Sequence, residues 1–156
     1  MCSVAAVAEP VDVDRLEADG FERVYVELEW YDGLREGVAD VDGLPHYFCC
    51  ACDYDPIVET VFKVWPASAE AFALERERWA IYVAWNDRQR AGEADAAAHP
   101  GLGGIDARYD ELQGLLEPLR RRPEHTGVLR AEFRFDAGER YRTDGLDCWV
   151  RWKPVA

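Results

Sequence analysis

The chain changes its hydrophobic period twice, and this constrains its fold more than any other feature. From Phe21 to Trp65 apolar residues favour every second position, from Ser68 to Ala91 they recur every three or four, and after Val128 the period of two returns. A period of two belongs to strands with one buried face, and a period near 3.6 to an amphipathic helix. Strands on both sides of a helical segment imply an α+β domain. The expected architecture is a single antiparallel sheet of about six strands, covered on one face by one long and one short helix, in the order ββββ-αα-ββ.

The local signals agree with this layout. In "ERVYVELEWYDG" Val24, Val26, Leu28 and Trp30 alternate with Tyr25, Glu27, Glu29 and Tyr31, which predicts a strand that buries the first set. Asp42-Gly43 supplies a tight turn inside "GVADVDGLPHYFCCACD", and a fourth strand, "ETVFKVW", ends at Pro66. The long helix presents Ala71, Leu74, Arg78, Ile81 and Trp85 on one side, with Ser68 as its N-cap and Gly92 as its stop. After the loop "GEADAAAHPGLGG", Asp106 caps a shorter helix in "DARYDELQGLLEPLRRR", whose arginines suit the negative end of the dipole and whose last turn Pro118 breaks or kinks. "VLRAEFRFD", with Leu129, Ala131, Phe133 and Phe135 on one face, and "CWVRW" are the last strands. Residues 1–20 are expected to be a mobile tail with at most a helical turn, and 21–156 a single domain. The two Asp-Gly hairpins share an order of motifs that either a duplication or ordinary hairpin chemistry would produce.

Composition sets the functional limits. A chain of 156 residues hides roughly 70% of its unfolded surface, enough for one genuine core. No apolar run approaches the ~18 residues of a membrane span, and the N-terminal "MCSVAAVAEP" lacks the basic residues that precede a secretory h-region. The expected location is therefore cytoplasmic, with the five cysteines kept as free thiols. A net charge of −13 repels a phosphate backbone and attracts basic surfaces. Nucleic acid is not an expected partner unless the chain imitates it; a protein partner with a basic face is.

"HYFCCACDYD" concentrates three cysteines, but strand geometry disperses them. Alternation puts His46, Phe48, Cys50 and Cys52 on one face and Tyr47, Cys49 and Ala51 on the other. His46 and Cys50 stand roughly 13 Å apart at about 3.3 Å per residue, too far to share an ion. Cys50 and Cys52, with Cys148 approaching from the last strand, are the only metal candidates, and they lack the second ligand pair of a structural zinc site. Buried strand thiols are the simpler expectation. No Gly-rich phosphate loop, nucleophile elbow or HExxH helix occurs, so no catalytic residue and no cofactor is assigned. Glu27 and Glu29 share a face at a spacing open to acid/base work, although cross-strand ion pairing with Arg130, Glu132, Arg134, Arg151 and Lys153 is the simpler account of such charges.

Six tryptophans and seven tyrosines are the remaining signal. Trp30, Trp79 and Trp152 fit a core by their periodicity, whereas Trp65 and Trp149 have the opposite parity from Val64 and Val150 and are expected to be exposed. Aromatic side chains beside carboxylates suit a recognition surface. The expectation is a non-catalytic interaction module of inhibitor or toxin-neutralising type, binding a protein through Tyr25, Glu27, Glu29, Tyr31, Trp65 and Trp149. A small enzyme or ligand binder with a pocket between sheet and helices is the alternative, and a cysteine-based metal-binding protein the third reading. A deep pocket lined by Glu27 or Glu29, His46 or a cysteine favours the second reading over the first.

Overall fold

The computed structural model describes residues 12–31, 33–51, 61–135, 141 and 145–155. Helix α1 (Val13–Ala18) precedes strands β1 (Glu22–Trp30), β2 (Leu34–Val41), β3 (Leu44–Cys50) and β4 (Val61–Pro66). Helix α2 (Ala69–Arg90), two short 3-10 turns (Ala96–Ala98 and Pro100–Leu102) and helix α3 (Ala107–Leu119) follow, and strands β5 (Gly127–Phe135) and β6 (Cys148–Pro154) complete the chain. The fold is α+β with six antiparallel strands, as the periodicity implies. It differs from the expected layout in two ways: α1 precedes the first strand, and the sheet closes into a barrel in the order β1-β2-β3-β4-β5-β6. No helix among the described residues is long and apolar enough to cross a membrane.

Closure follows from bends in β1. Its ladder with β2 shifts register between Val24 and Val26, between Glu27 and Glu29, and again before Trp30. Each extra residue bends and twists the strand. The bend brings Glu22 and Arg23 against Val150 and Trp149 of β6, which joins the sheet's two edges. Gly37 of β2 makes the bend possible. A Cβ there would collide with the Val26 carbonyl oxygen and come within 2.8 Å of Phe48 Cζ.

The inside of the barrel is solid. Val24, Leu34, Ala39, Phe48, Phe62, Val64, Ala131 and Val150 fill it, with Phe133 and Trp152 packed against them. Phe48 and Phe62 meet edge to face at 5.7 Å, so the lumen holds side chains and no ligand, as in other small barrels. A second core lies outside, where α2 covers Val26, Val38, Tyr47 and Trp65. A third lies where α1 sets Leu16 against Phe21 and Trp149. Residues 12–20, expected to belong to a tail, thus cap the seam of the barrel, whereas residues 1–11 lie outside the described residues.

This double packing corrects the exposure expected of two tryptophans. Trp65 and Trp149 do point away from the barrel interior, as their parity requires, but helices cover that face and leave them only 7% and 2% exposed. The predicted caps are in place. Ser68 Oγ accepts from the Ala71 amide at 3.1 Å, Asp106 accepts from the Tyr109 amide at 2.9 Å, and Gly92 ends α2 at φ +76°. Asp42 and Gly43, at φ +53° and +78°, form the turn between β2 and β3 with the twist that a two-residue hairpin needs.

Candidate functional site

Beyond Arg23, β1 runs on while β6 has already begun at Cys148, so the rest of that strand edge has no ladder partner on this side among the described residues. Tyr141, from the β5–β6 connection, and Arg78, Trp79 and Tyr82 from the middle of α2 stand beside this edge. The result is a cavity of about 230 Å³, open to solvent. Four consecutive residues of β1, Glu27 through Trp30, line it. A regular strand would send Glu27 and Glu29 to one face and Leu28 and Trp30 to the other; the register shift between Glu27 and Glu29 breaks that alternation, and all four line the same space.

The opposite wall is aromatic. Trp79 and Tyr82 of α2 stack at 5.2 Å, and the Tyr141 ring meets them edge to face at 5.4 and 5.5 Å. His99 packs beside Tyr82 and Trp85, at 5.4 and 4.5 Å between ring centres. Its Nδ1 accepts from the Gly101 amide at 2.8 Å, so the neutral ring carries its proton on Nε2 and is a donor there. The floor is Arg78 over Tyr109. The Arg78 guanidinium carbon lies 4.7 Å from the ring centre, and Nε donates to Gln113 Oε1 at 2.8 Å. Burial holds the Arg78 guanidinium below its ordinary range and pushes the Tyr109 phenol up.

The sequence-predicted residues divide between several places. Glu27, only 8% exposed, and Glu29, which is exposed, meet in the pocket. Tyr25 faces α2 elsewhere. Its ring meets Phe72 edge to face at 4.8 Å and its hydroxyl donates to Asp40 at 2.8 Å; burial first, then Asp40, pushes the phenol up to about 12. Tyr31 is 61% exposed beyond the end of β1. Trp65 and Trp149 sit in separate packed layers, so the expected set of six does not form one surface. Nor does Glu29 join the charges of the last strands. Glu29 lies opposite Glu36, while Arg151 and Lys153 pair with Glu132 at 2.7 and 3.6 Å.

The cysteine strand alternates as expected, with Phe48 and Cys50 against the barrel core and Tyr47 and Cys49 toward α2. Cys49 is a free thiol whose pKa burial raises, and Cys148 is buried in the barrel core. Cys52 lies outside the described residues, as does the tip of the second Asp-Gly hairpin. Among the described residues no group of three or more His, Cys, Asp or Glu side chains is placed to hold a metal ion. No serine, threonine or cysteine among the described residues lines the pocket.

Sequence reasoning missed Arg78, Tyr82, His99, Tyr109 and Tyr141 as site residues. Arg78 and His99 carried a signal: an arginine among the apolar positions of α2, and a histidine set between helix and Gly-rich loop. Fold and site together define a closed six-stranded barrel with a helical layer outside it and an acidic-aromatic pocket between the two. Comparison of the chain with protein-family models, curated proteins and solved structures finds no match in any of the three.

Proposed function

We propose that this chain binds a small organic ligand in the pocket between β1 and α2. The observation that carries this reading is the cavity in which Glu27 and Glu29 of the bulged strand β1 stand opposite an aromatic wall. Ligand sites are concave and largely apolar, with a few convergent polar groups, and bulges concentrate beside such sites. The arrangement supports binding more directly than catalysis. His99 commits Nδ1 to the Gly101 amide, and among the described residues the lining holds no serine, threonine or cysteine.

The tryptophans provide a test. In a ligand-observed NMR screen of small polar aromatic and aliphatic compounds, hits are expected to shift the indole signals of Trp30 and Trp79 and leave those of Trp65 and Trp149 in place. A screen without hits, or hits that move only Trp65 or Trp149, overturns the reading.

The acidic interaction module remains the second reading. The net charge of −13 and the exposure of Glu29 and Tyr31 favour it, and it no longer draws on Trp65 or Trp149. Retention of a basic partner at low salt that is lost at high salt, by a Glu29→Gln-sensitive contact, would support it over the pocket.

A further inference from the structure

Resting on the pocket reading, we infer that the ligand is a small zwitterion with an apolar or aromatic body, its carboxylate held by Arg78 and its ammonium group by Glu29 beside Glu27. The molecule would be of amino-acid size, since a cavity of about 230 Å³ falls below the ~300 Å³ at which pockets begin to take drug-sized ligands.

Arg78 defines the anionic end. It is half-buried, and Gln113 and Tyr109 fix its plane through the 2.8 Å hydrogen bond and the 4.7 Å ring contact. No carboxylate lies within ion-pair distance of it among the described residues. The acidic group whose charge it feels, Glu75, is already bonded twice to Arg120, at 2.8 and 2.6 Å. Arg78 lines the pocket, and its hydrogen bond to Gln113 is made by Nε, which leaves Nη1 and Nη2 to a ligand. A partly desolvated guanidinium calls for an anion, and its planar fork matches a carboxylate.

The strand side defines the cationic end. Glu29 stands directly across from Glu36 and makes no ion pair among the described residues. Like charges placed opposite one another in a sheet destabilise it. Burial, and after it the charge of Glu29, raises the Glu36 carboxyl. An ammonium group at Glu29 relieves this repulsion and brings Glu27 a second contact.

The two ends exclude the simpler ligands. An anion without a cationic group is repelled by Glu29, and a cation without an anionic group leaves Arg78 unmatched. A zwitterion satisfies both, and its body lies on Trp79 and Tyr82.

Isothermal titration calorimetry with four probes that share one ring separates these cases: L-phenylalanine, phenethylamine, 3-phenylpropionate and benzyl alcohol. L-phenylalanine is expected to bind at least about tenfold more tightly than the other three, the worth of one charged hydrogen-bonded contact. Arg78→Met should bring L-phenylalanine down to the level of phenethylamine and leave phenethylamine unchanged. Arg78→Lys, which keeps the charge and loses the fork, should fall between wild type and Arg78→Met, and it serves where Arg78→Met does not fold. Glu29→Gln should weaken L-phenylalanine and phenethylamine and spare 3-phenylpropionate. If a singly charged or neutral probe matches L-phenylalanine, or the Arg78 variants leave L-phenylalanine binding untouched, the zwitterion assignment falls while the pocket stands. If none of the four binds at millimolar concentration, both fall together.

Discussion

Glu75 sits in the middle of α2 with no solvent exposure, a position that an isolated carboxylate would not tolerate. Arg120, the residue that closes α3, makes it tolerable through a two-pronged contact, Nη2 to Oε1 at 2.6 Å and Nε to Oε2 at 2.8 Å. The pair ties the end of α3 to α2 and so fixes the floor of the pocket, where Arg78 and Tyr109 come from the same two helices. Removing one member leaves the other buried and uncompensated, so Arg120→Met should cost about 3 to 5 kcal/mol in urea denaturation. The double variant Glu75→Leu/Arg120→Met should recover most of that loss, because an apolar pair of similar volume needs no desolvation. Equal losses in the single and double variants would count against the account. Little of this pair was legible in the chain. The arginines at 120–122 read as dipole partners of their own helix, and Glu75, four residues from both Ala71 and Trp79, reads as a core position only once something 45 residues away is known to meet it.

Strand β1 decides where the site falls, and it does so through irregularity. Its alternation announced a strand correctly, just as Ser68, Asp106 and Asp42-Gly43 announced the helix starts and the hairpin. Caps and turns depend on residues within a few positions, so they are read locally. A bulge depends on the partner strand, and nothing within β1 records that Gly37 lies opposite. Hence Val24 and Val26, expected on one face, separate into the inner and outer cores, and four consecutive residues, Glu27 through Trp30, line one cavity. Gly37→Ala tests this dependence. The added methyl meets the Val26 carbonyl and the Phe48 ring, so overpacking should cost about 1 to 3 kcal/mol, read as a lower denaturation midpoint at unchanged slope. Because the strain falls on the bend, the indole signals of Trp30 and Trp79 should move as well. A destabilised variant whose pocket signals stay fixed would separate the bulge from the site.

At the scale of the whole molecule, the weak element is the seam. Six strands form the barrel, yet β1 and β6 meet only through the Glu22–Val150 and Arg23–Trp149 pairs, whereas β5 and β6 pair along seven positions. An open sheet was the natural expectation because pairing between the first and last strands leaves no mark in periodicity. The parity of Trp149 was right and its exposure wrong for the same reason: the layer that covers it is α1, which docks only because the barrel closes. Closure and docking therefore support one another. Leu16 is the link, buried beside Phe21 and Trp149, while Arg23 Nε donates to the Gly145 carbonyl at 3.2 Å across the same junction. Leu16→Ala should cost about 2 to 3 kcal/mol for the lost contacts and the cavity left behind. The loss should be local in character. Amide exchange should accelerate at Arg23 and Val150 well before it does in the β2–β3 hairpin, and tryptophan emission should shift to the red as Trp149 meets water, since the least supported unit opens first. Uniform acceleration across all six strands would mean that the barrel opens only as a whole, and that α1 stabilises the fold without acting as the latch of its seam.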